Sequence, residues 1–303
     1  MLLRFYSLSI ELGKFPASFK KADVVPIHKK DLKTLVKNYR PISLLSTLSK
    51  IFEKIVFKYV YNYFRDNFIL SIYQSGFQPG MSTVTQLIEV YHKFCEAVDK
   101  GKEIRVVFLD IQKAFDKVWH RGLIHKLNKC GINGNLLSWF EDYLKDRKQR
   151  VLINGQSSSW RNLNAGVPQG SVLGPLLFLI FINDISHVIN YCNIRLFADD
   201  TCLFIDIDNA STPDQKALNR NQAAKSLEDD LSSIQQWSSK WLVTFSPPKT
   251  KSLVISNKPD SSLNPPLHFN GYEVEDVKHH KYLGLSFSHN LKWSDHINDI
   301  STK

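Results

Sequence analysis

The chain has 303 residues, 43% of them hydrophobic, which is enough to bury a core and excludes both a disordered chain and a small disulfide scaffold. Lys and Arg total 39 against 29 Asp and Glu, a formal net charge of +10. That balance favours an acidic partner, nucleic acid or an anionic membrane.

In chain order, Leu2 to Leu12 reads as a helix fragment with no N-terminal cap before it. It lacks the long apolar stretch and small-residue cleavage site of a secretory signal. Ala22 to Ile27 reads as a strand with a basic end, His28-Lys29-Lys30. Ile42 to Phe64 reads as a long basic and aromatic helix, and Ser82 can cap a second one running to about Val98. Arg105 to Leu109 is a short β-branched run ending in Asp110, a buried strand by composition. Helices follow at about Leu123–Cys130, closed by Gly131, and Leu136–Lys145. Asn154-Gly155 between two strand-like runs signals a hairpin.

Gly166 to Ile185 is a glycine-punctuated loop feeding a very apolar helix, with Pro175 tolerated in its first turn. Its longest apolar run, Leu176 to Ile182, falls far short of the roughly 20 residues that span a membrane. Asn193 to Ile205 reads strand–turn–strand, with Asp199-Asp200 at the turn. Pro213 opens a helix whose stripe of Leu227, Leu231, Ile234, Trp237 and Trp241 marks one buried face. Residues 257–266 read as a linker. Tyr282 to Phe287 reads as a last strand, and another element begins after Leu291. Mixed strands and helices make the class α+β.

Three acids stand at the ends of apolar strands: Asp110, Asp199 and Asp200. Burial penalises their charged forms and like charges repel, so they need a counter-charge. Carboxylate oxygens suit Mg²⁺ or Mn²⁺, and two such ions can activate a hydroxyl and stabilise a leaving oxygen. Asp is also common in turns, so the acids alone leave both readings open. The block Gly166-Val-Pro-Gln-Gly-Ser-Val-Leu-Gly-Pro175 lets backbone approach a ligand, and its N–H groups favour anions, yet no Gly-Lys-Ser/Thr closes it into a P-loop. Basic residues recur at Lys20, Lys21, His28, Lys29, Lys30, Lys37, Arg40, Arg147, Lys148 and Arg150. With Tyr39, Tyr59, Tyr61 and Tyr63 they suit either nucleic acid or an ordinary solvated face. The cysteines form no C-x-x-C pair and suit a reducing compartment, no nucleophile elbow is present, and the C-terminal histidines lack metal-ligand spacing.

The order of these motifs resembles the reverse transcriptase domain of non-LTR (LINE-type, jockey-like) retrotransposons. The resemblance is carried by Phe15-Pro-Ala-Ser-Phe-Lys-Lys-Ala-Asp-Val-Val-Pro-Ile-His-Lys-Lys30, Asn38-Tyr-Arg-Pro-Ile-Ser-Leu-Leu45 and Gln74-Ser-Gly-Phe-Gln-Pro-Gly-Met-Ser-Thr83. It continues through Phe108-Leu-Asp-Ile-Gln-Lys-Ala-Phe-Asp-Lys-Val118, Gly166 to Phe178, Phe197-Ala-Asp-Asp200, Pro248-Lys-Thr250 and Tyr282-Leu-Gly284.

The resemblance implies a right-hand polymerase fold with fingers and palm, the thumb largely missing. Its expected boundaries are fingers over 1–105, the first catalytic strand of the palm over 106–120, and a fingers/palm insertion over 121–165. Palm follows over 166–256, then a primer-grip hairpin and the start of a thumb over 257–303. The implied activity is RNA-directed DNA synthesis from dNTPs on an RNA template and a DNA primer, with two Mg²⁺ ions, for which Mn²⁺ can substitute. Asp110, Asp199 and Asp200 are the implied metal ligands, and Lys249 a proton donor to pyrophosphate. Lys29 and Arg40 are implied to hold the triphosphate, Phe115 to exclude a 2′-hydroxyl, and Gln169 and Gly170 to border the nucleotide. Tyr282, Leu283 and Gly284 are the implied primer grip. No membrane is expected, and an intracellular, nuclear site of action follows from the family's target-primed mechanism.

The chain departs from the family pattern at Gln78 and Met81, which replace two arginines, at Ser246 for the usual Asn, at Phe19 for the usual Trp and at Phe197 for the commoner Tyr. Two readings follow. The retained acids favour an active polymerase fragment. The replaced arginines and the expected missing thumb favour a truncated or domesticated derivative that binds nucleic acid without catalysis.

Overall fold

A computed structural model describes residues 2–29, 31–257 and 264–302; Lys30 and most of the expected linker lie outside the described residues. The elements run α1 (Leu2–Glu11), β1 (Lys21–His28), β2 (Tyr39–Leu44), α2 (Thr47–Asp66), α3 (Thr83–Asp99) and β3 (Glu103–Asp110). Then come α4 (His120–Lys129), α5 (Gly134–Leu144), β4 (Lys148–Ile153), β5 (Gln156–Ser157), β6 (Arg161–Asn162) and α6 (Leu173–Ile182). The C-terminal part carries β7 (Asn193–Phe197), β8 (Asp200–Ile207), α7 (Pro213–Trp241) and β9 (Lys251–Ile255). It ends with β10 (His268–Phe269), β11 (Tyr272–Glu273), β12 (Glu275–Asp276), β13 (His279–Tyr282), β14 (Leu285–Ser288) and α8 (Ser294–Ser301). The chain divides into two units, residues 1–70 with 113–182, and residues 71–112 with 183–303.

The first unit combines a sheet of order β2-β1-β4-β5, with β6 also on β4, and helices α1, α2, α4, α5 and α6. The helix expected from Ile42 does not start there: residues 39–44 form strand β2. They pair antiparallel with β1, Ile27 opposite Arg40 and Asp23 opposite Leu44. Pairing with β1 continues through Leu44 and delays the helix, and Pro41 fits this sheet edge, where no N–H is required. The helix begins only at Thr47. Asn154 (φ 48°) and Gly155 (φ 78°) both take the left-handed conformation of a tight hairpin between β4 and β5. Apart from Pro175, every residue of α6 is buried, as expected of a helix that is apolar all round.

Two expected surface cations lie inside this unit. Lys20 is buried and pairs with Asp142 at 2.7 Å. Arg147 is buried beside the Tyr143 ring and donates to the Tyr143 carbonyl at 3.1 Å. Neither belongs to a nucleic-acid face.

The second unit is built on a sheet of order β12-β9-β3-β8-β7. The central strand β3 is buried along both faces, which accounts for its nearly unbroken apolar run. Ile104, Val106 and Phe108 pack with Phe94 of α3, Cys202 and Phe204 of β8, and Tyr282 and Phe287. Helix α3 starts with a reciprocal capping box between Ser82 and Thr85. On α7, Leu227, Leu231, Ile234, Trp237 and Trp241 are all buried. The expected strand over 282–287 is interrupted by a turn: Leu283 (φ 49°) and Gly284 (φ 96°) join β13 to β14, while Tyr282 and residues 285–287 are strand.

Candidate active site

In the second unit, the register of β3 on β8 sets Asp110 opposite Asp200. Directly opposed residues of an antiparallel pair project to the same face. That face also carries Phe108 and Cys202, which oppose each other two positions back, so the acids continue an apolar row to its polar end. Asp199 lies in the two-residue loop between β7 and β8, since Phe197 opposes Asp200. Ala198 supplies the positive φ, 54°, that the first loop position requires. The expected Asp-Asp turn is therefore Ala198-Asp199, with Asp200 already in the strand.

Lys249 joins this cluster through the backbone. Residues 244–246 run beside 110–112: Gln112 N–H donates to Thr244 O at 2.7 Å, and Ser246 N–H to Asp110 O at 2.9 Å. The short turn Pro247–Lys249 follows at once. It brings Lys249 Nζ to 2.8 Å from Asp110 Oδ1.

Among the described residues, no three His, Cys, Asp or Glu side chains are gathered closely enough to hold a metal ion as they stand. The donor set nevertheless fits one. It is all carboxylate oxygen, the ligand that hard divalent cations prefer, and the register puts two of the three acids side by side.

The hairpin β13–β14 lies on the same face. Its His280 ring stacks on Phe108 at 4.3 Å between centroids. Burial, helped by Lys251 and His279, pulls the His280 pKa down to about 4. Tyr282 is only 3% exposed, and its hydroxyl accepts from Gln86 Nε2 at 3.4 Å. Burial, with Cys202 and Asp200 nearby, pushes that hydroxyl well above its ordinary pKa. Tyr282 is part of the core, Leu283 at the tip is half-buried against it, and Gly284 is exposed, as are His279 and Lys281 on β13.

In the first unit a second set of expected residues converges. Phe115 is half-buried and stacks on Phe178 at 5.0 Å, and its carbonyl accepts from Val167 N–H at 2.8 Å. Gln169 Nε2 donates to Asp116 Oδ1 at 3.0 Å, and Gln169 O accepts from Ser43 N–H of β2 at 2.6 Å. Gly170 (φ 114°) passes so close to β2 that a Cβ there would stand 2.6 Å from Ser43 O. Arg40 lies three residues earlier on β2, exposed. Lys29 N–H donates to Asn38 O at 2.8 Å, so Lys29 and Arg40 sit at the same end of the β1–β2 ladder.

Two supporting residues were assigned no function from the sequence. Glu53, fully buried on α2, accepts from Val172 N–H at 2.8 Å and Leu173 N–H at 3.2 Å. The anion on the amides that open α6 is thus the chain's own carboxylate. Burial raises the Glu53 pKa, against the lowering effect of these bonds and of Arg147. An acid inside the apolar stripe Phe52, Val56, Val60 was the available signal. The other residue is Gln74, whose side chain meets the backbone of Ala198.

Residues 27–287 match the family described as reverse transcriptase (RNA-dependent DNA polymerase). The protein named "Probable RNA-directed DNA polymerase from transposon BS" of Drosophila melanogaster is 31% identical over 98% of this chain. The RNA-directed DNA polymerase from mobile element jockey of the same organism is 31% identical over 99%. The chain covers 32% of each, about a third of the length of these curated relatives. Among solved structures, apo telomerase from Candida tropicalis, truncated from its C-terminal domain, matches with a TM-score of 0.55 and 13% identity. That match spans 94% of this chain and 59% of the telomerase chain. The likeness fixes the fold as the right-hand polymerase type. With most of its length inside the family match, the chain belongs to the reverse transcriptase (RNA-dependent DNA polymerase) family, and over nearly its whole length it is similar to jockey-type retrotransposon sequences.

Proposed function

We propose that this chain catalyses RNA-templated DNA synthesis, adding deoxynucleotides from dNTPs to a DNA primer end. The observation that carries this reading is the pairing of Asp110 with Asp200, with Asp199 in the adjoining loop, in a chain of this family. Asp110 and Asp199 would hold two Mg²⁺ ions, or Mn²⁺ in their place, with Asp200 beside them. When bound, the ions supply Lewis-acid activation of the primer hydroxyl and charge stabilisation at the leaving pyrophosphate. Lys249, within reach of the Asp110 carboxylate, gives a proton to the pyrophosphate.

In the first unit Lys29 and Arg40 hold the triphosphate, and Gln169 and Gly170 border the nucleotide and template. Phe115, braced by Phe178, lies under the sugar and blocks a 2′-hydroxyl. The primer end rests on the hairpin tip, Leu283 and Gly284, with Tyr282 supporting it from within the core. The fingers, palm, primer-grip and thumb-start boundaries given above for the resemblance belong to the same proposal, as does action in the nucleus. No helix among the described residues is long and apolar enough to cross a membrane.

Gln78 and Met81, standing where the family carries arginines, favour a second reading in which the chain binds nucleic acid without catalysis. Primer extension on an RNA template with dNTPs and Mg²⁺ separates the two. Extension by the wild type that is lost in Asp199→Asn supports the polymerase. A wild type that shifts primer–template duplex on a gel but adds no nucleotide supports the binder.

A further inference from the structure

The loop that carries Asp199 is held from outside its own hairpin. Residues 73–76 run along β7: Leu196 N–H donates to Tyr73 O at 2.8 Å and Ser75 N–H to Leu196 O at 2.9 Å. The same segment aims the Gln74 side chain, only 5% exposed, at the loop. Its Oε1 accepts from Ala198 N–H at 2.8 Å and from Gly76 N–H at 2.7 Å. Its Nε2 donates to Ala198 O at 3.4 Å. One carboxamide thus engages both main-chain groups of the residue immediately before Asp199, the residue in the left-handed conformation.

The surroundings leave this arrangement little freedom. A Cβ on Gly76 would stand 2.2 Å from Ala198 N, so only glycine allows the approach. Behind the clasp, Ser75 Oγ donates to Gln86 Oε1 at 2.7 Å, and Gln86, fully buried on α3, reaches Tyr282. A buried polar chain of this kind specifies a single arrangement when its members are satisfied.

We propose that Gln74 is a positioning residue: by pairing with the Ala198 backbone it fixes where the hairpin loop presents Asp199. This rests on the polymerase reading above. A side chain must donate and accept at once to do this, and must be long enough to cross from the 73–76 segment. Gln meets both conditions. Met has the length without the polar atoms, and Glu lacks the donor.

The test compares wild type with Gln74→Met, using chains whose folding is verified by thermal melting. Three readings are taken: single-nucleotide incorporation rate, primer–template Kd, and Mn²⁺ affinity of the protein alone, followed by the electron paramagnetic resonance of the free ion. The expected result is an incorporation rate at least tenfold lower, a primer–template Kd within twofold, and Mn²⁺ bound at least fivefold more weakly. A folded Gln74→Met with all three values within twofold of wild type overturns the proposal. Should the variant fail to fold, amide hydrogen exchange on the wild type decides: slow exchange at Ala198 N–H supports the clasp, and exchange at the rate of an exposed loop overturns it. The Mn²⁺ and exchange measurements need no turnover. A wild type that never extends a primer therefore counts against the polymerase reading and leaves the clasp to be judged separately.

Discussion

Lys249 Nζ donates to Asp110 Oδ1 across 2.8 Å, with the lysine side chain 60% exposed and the aspartate 26%. Water reaches both partners, so the pair adds little to folding, about 0–1 kcal/mol. The pair places an exposed ammonium beside the Asp110 carboxylate. Lys249→Ala should leave the melting temperature nearly unchanged and lower single-turnover incorporation by roughly 10–100-fold. Melting and rapid-quench kinetics on the same preparation check both halves.

Phe115 has one ring face on Phe178. Phe115→Val removes the bulk proposed to exclude a 2′-hydroxyl and leaves the backbone bond from Val167. The expected outcome is a gain in ribonucleotide use relative to deoxynucleotide use on the order of 10–100-fold. Competing rNTP and dNTP incorporation measures it, and an unchanged ratio would contradict the role.

His280 ties folding to pH. Its pKa in the folded chain is about 4, below an ordinary value near 6.5. Between those values the unfolded chain takes up a proton that the folded chain refuses, so stability falls as pH drops from about 6.5 to about 4. Above that window the group contributes no pH dependence. His280→Phe, which keeps a ring on Phe108, should flatten this part of the profile, as read by denaturant unfolding at pH 7 and pH 5. His120, whose pKa burial also lowers, supplies a remaining slope of the same sign.

Glu53→Ala should be among the more costly single changes in the first unit. It leaves the Val172 and Leu173 amides without their acceptor, at about 1–3 kcal/mol for each unsatisfied buried group. Glu53→Gln keeps an acceptor oxygen and should recover part of the loss. Denaturant unfolding of both variants tests the order.

Sequence patterning was informative wherever local chemistry decided the structure. Ser82 as a cap, Asn154-Gly155 as a hairpin, Pro213 as a helix start and Asp110 at a strand end all follow from single-residue propensities. Residues 42–44 escaped because pairing with β1 outweighs their helix-like spacing. Leu283 escaped because a left-handed leucine is imposed by the hairpin and is not preferred by the residue. At the site, the acids and Lys249 could be singled out from motif order. Their supports could not: Gln74 and Glu53 act on backbone more than a hundred residues away. The interior places of Lys20 and Arg147 likewise depend on partners brought in by the fold.

The β7–β8 connection has room for two residues and no more. Adding one there demands either a bulge or a one-step slip, and a slip sends alternate side chains to the opposite side of the pleat. Asp200 would then face away from Asp110, while Asp199 would lose its place at the bend. Length at this bend should therefore be intolerant of insertions and deletions, in contrast to the open Asn154-Gly155 tip, where a Cβ on Gly155 would meet nothing within 4 Å.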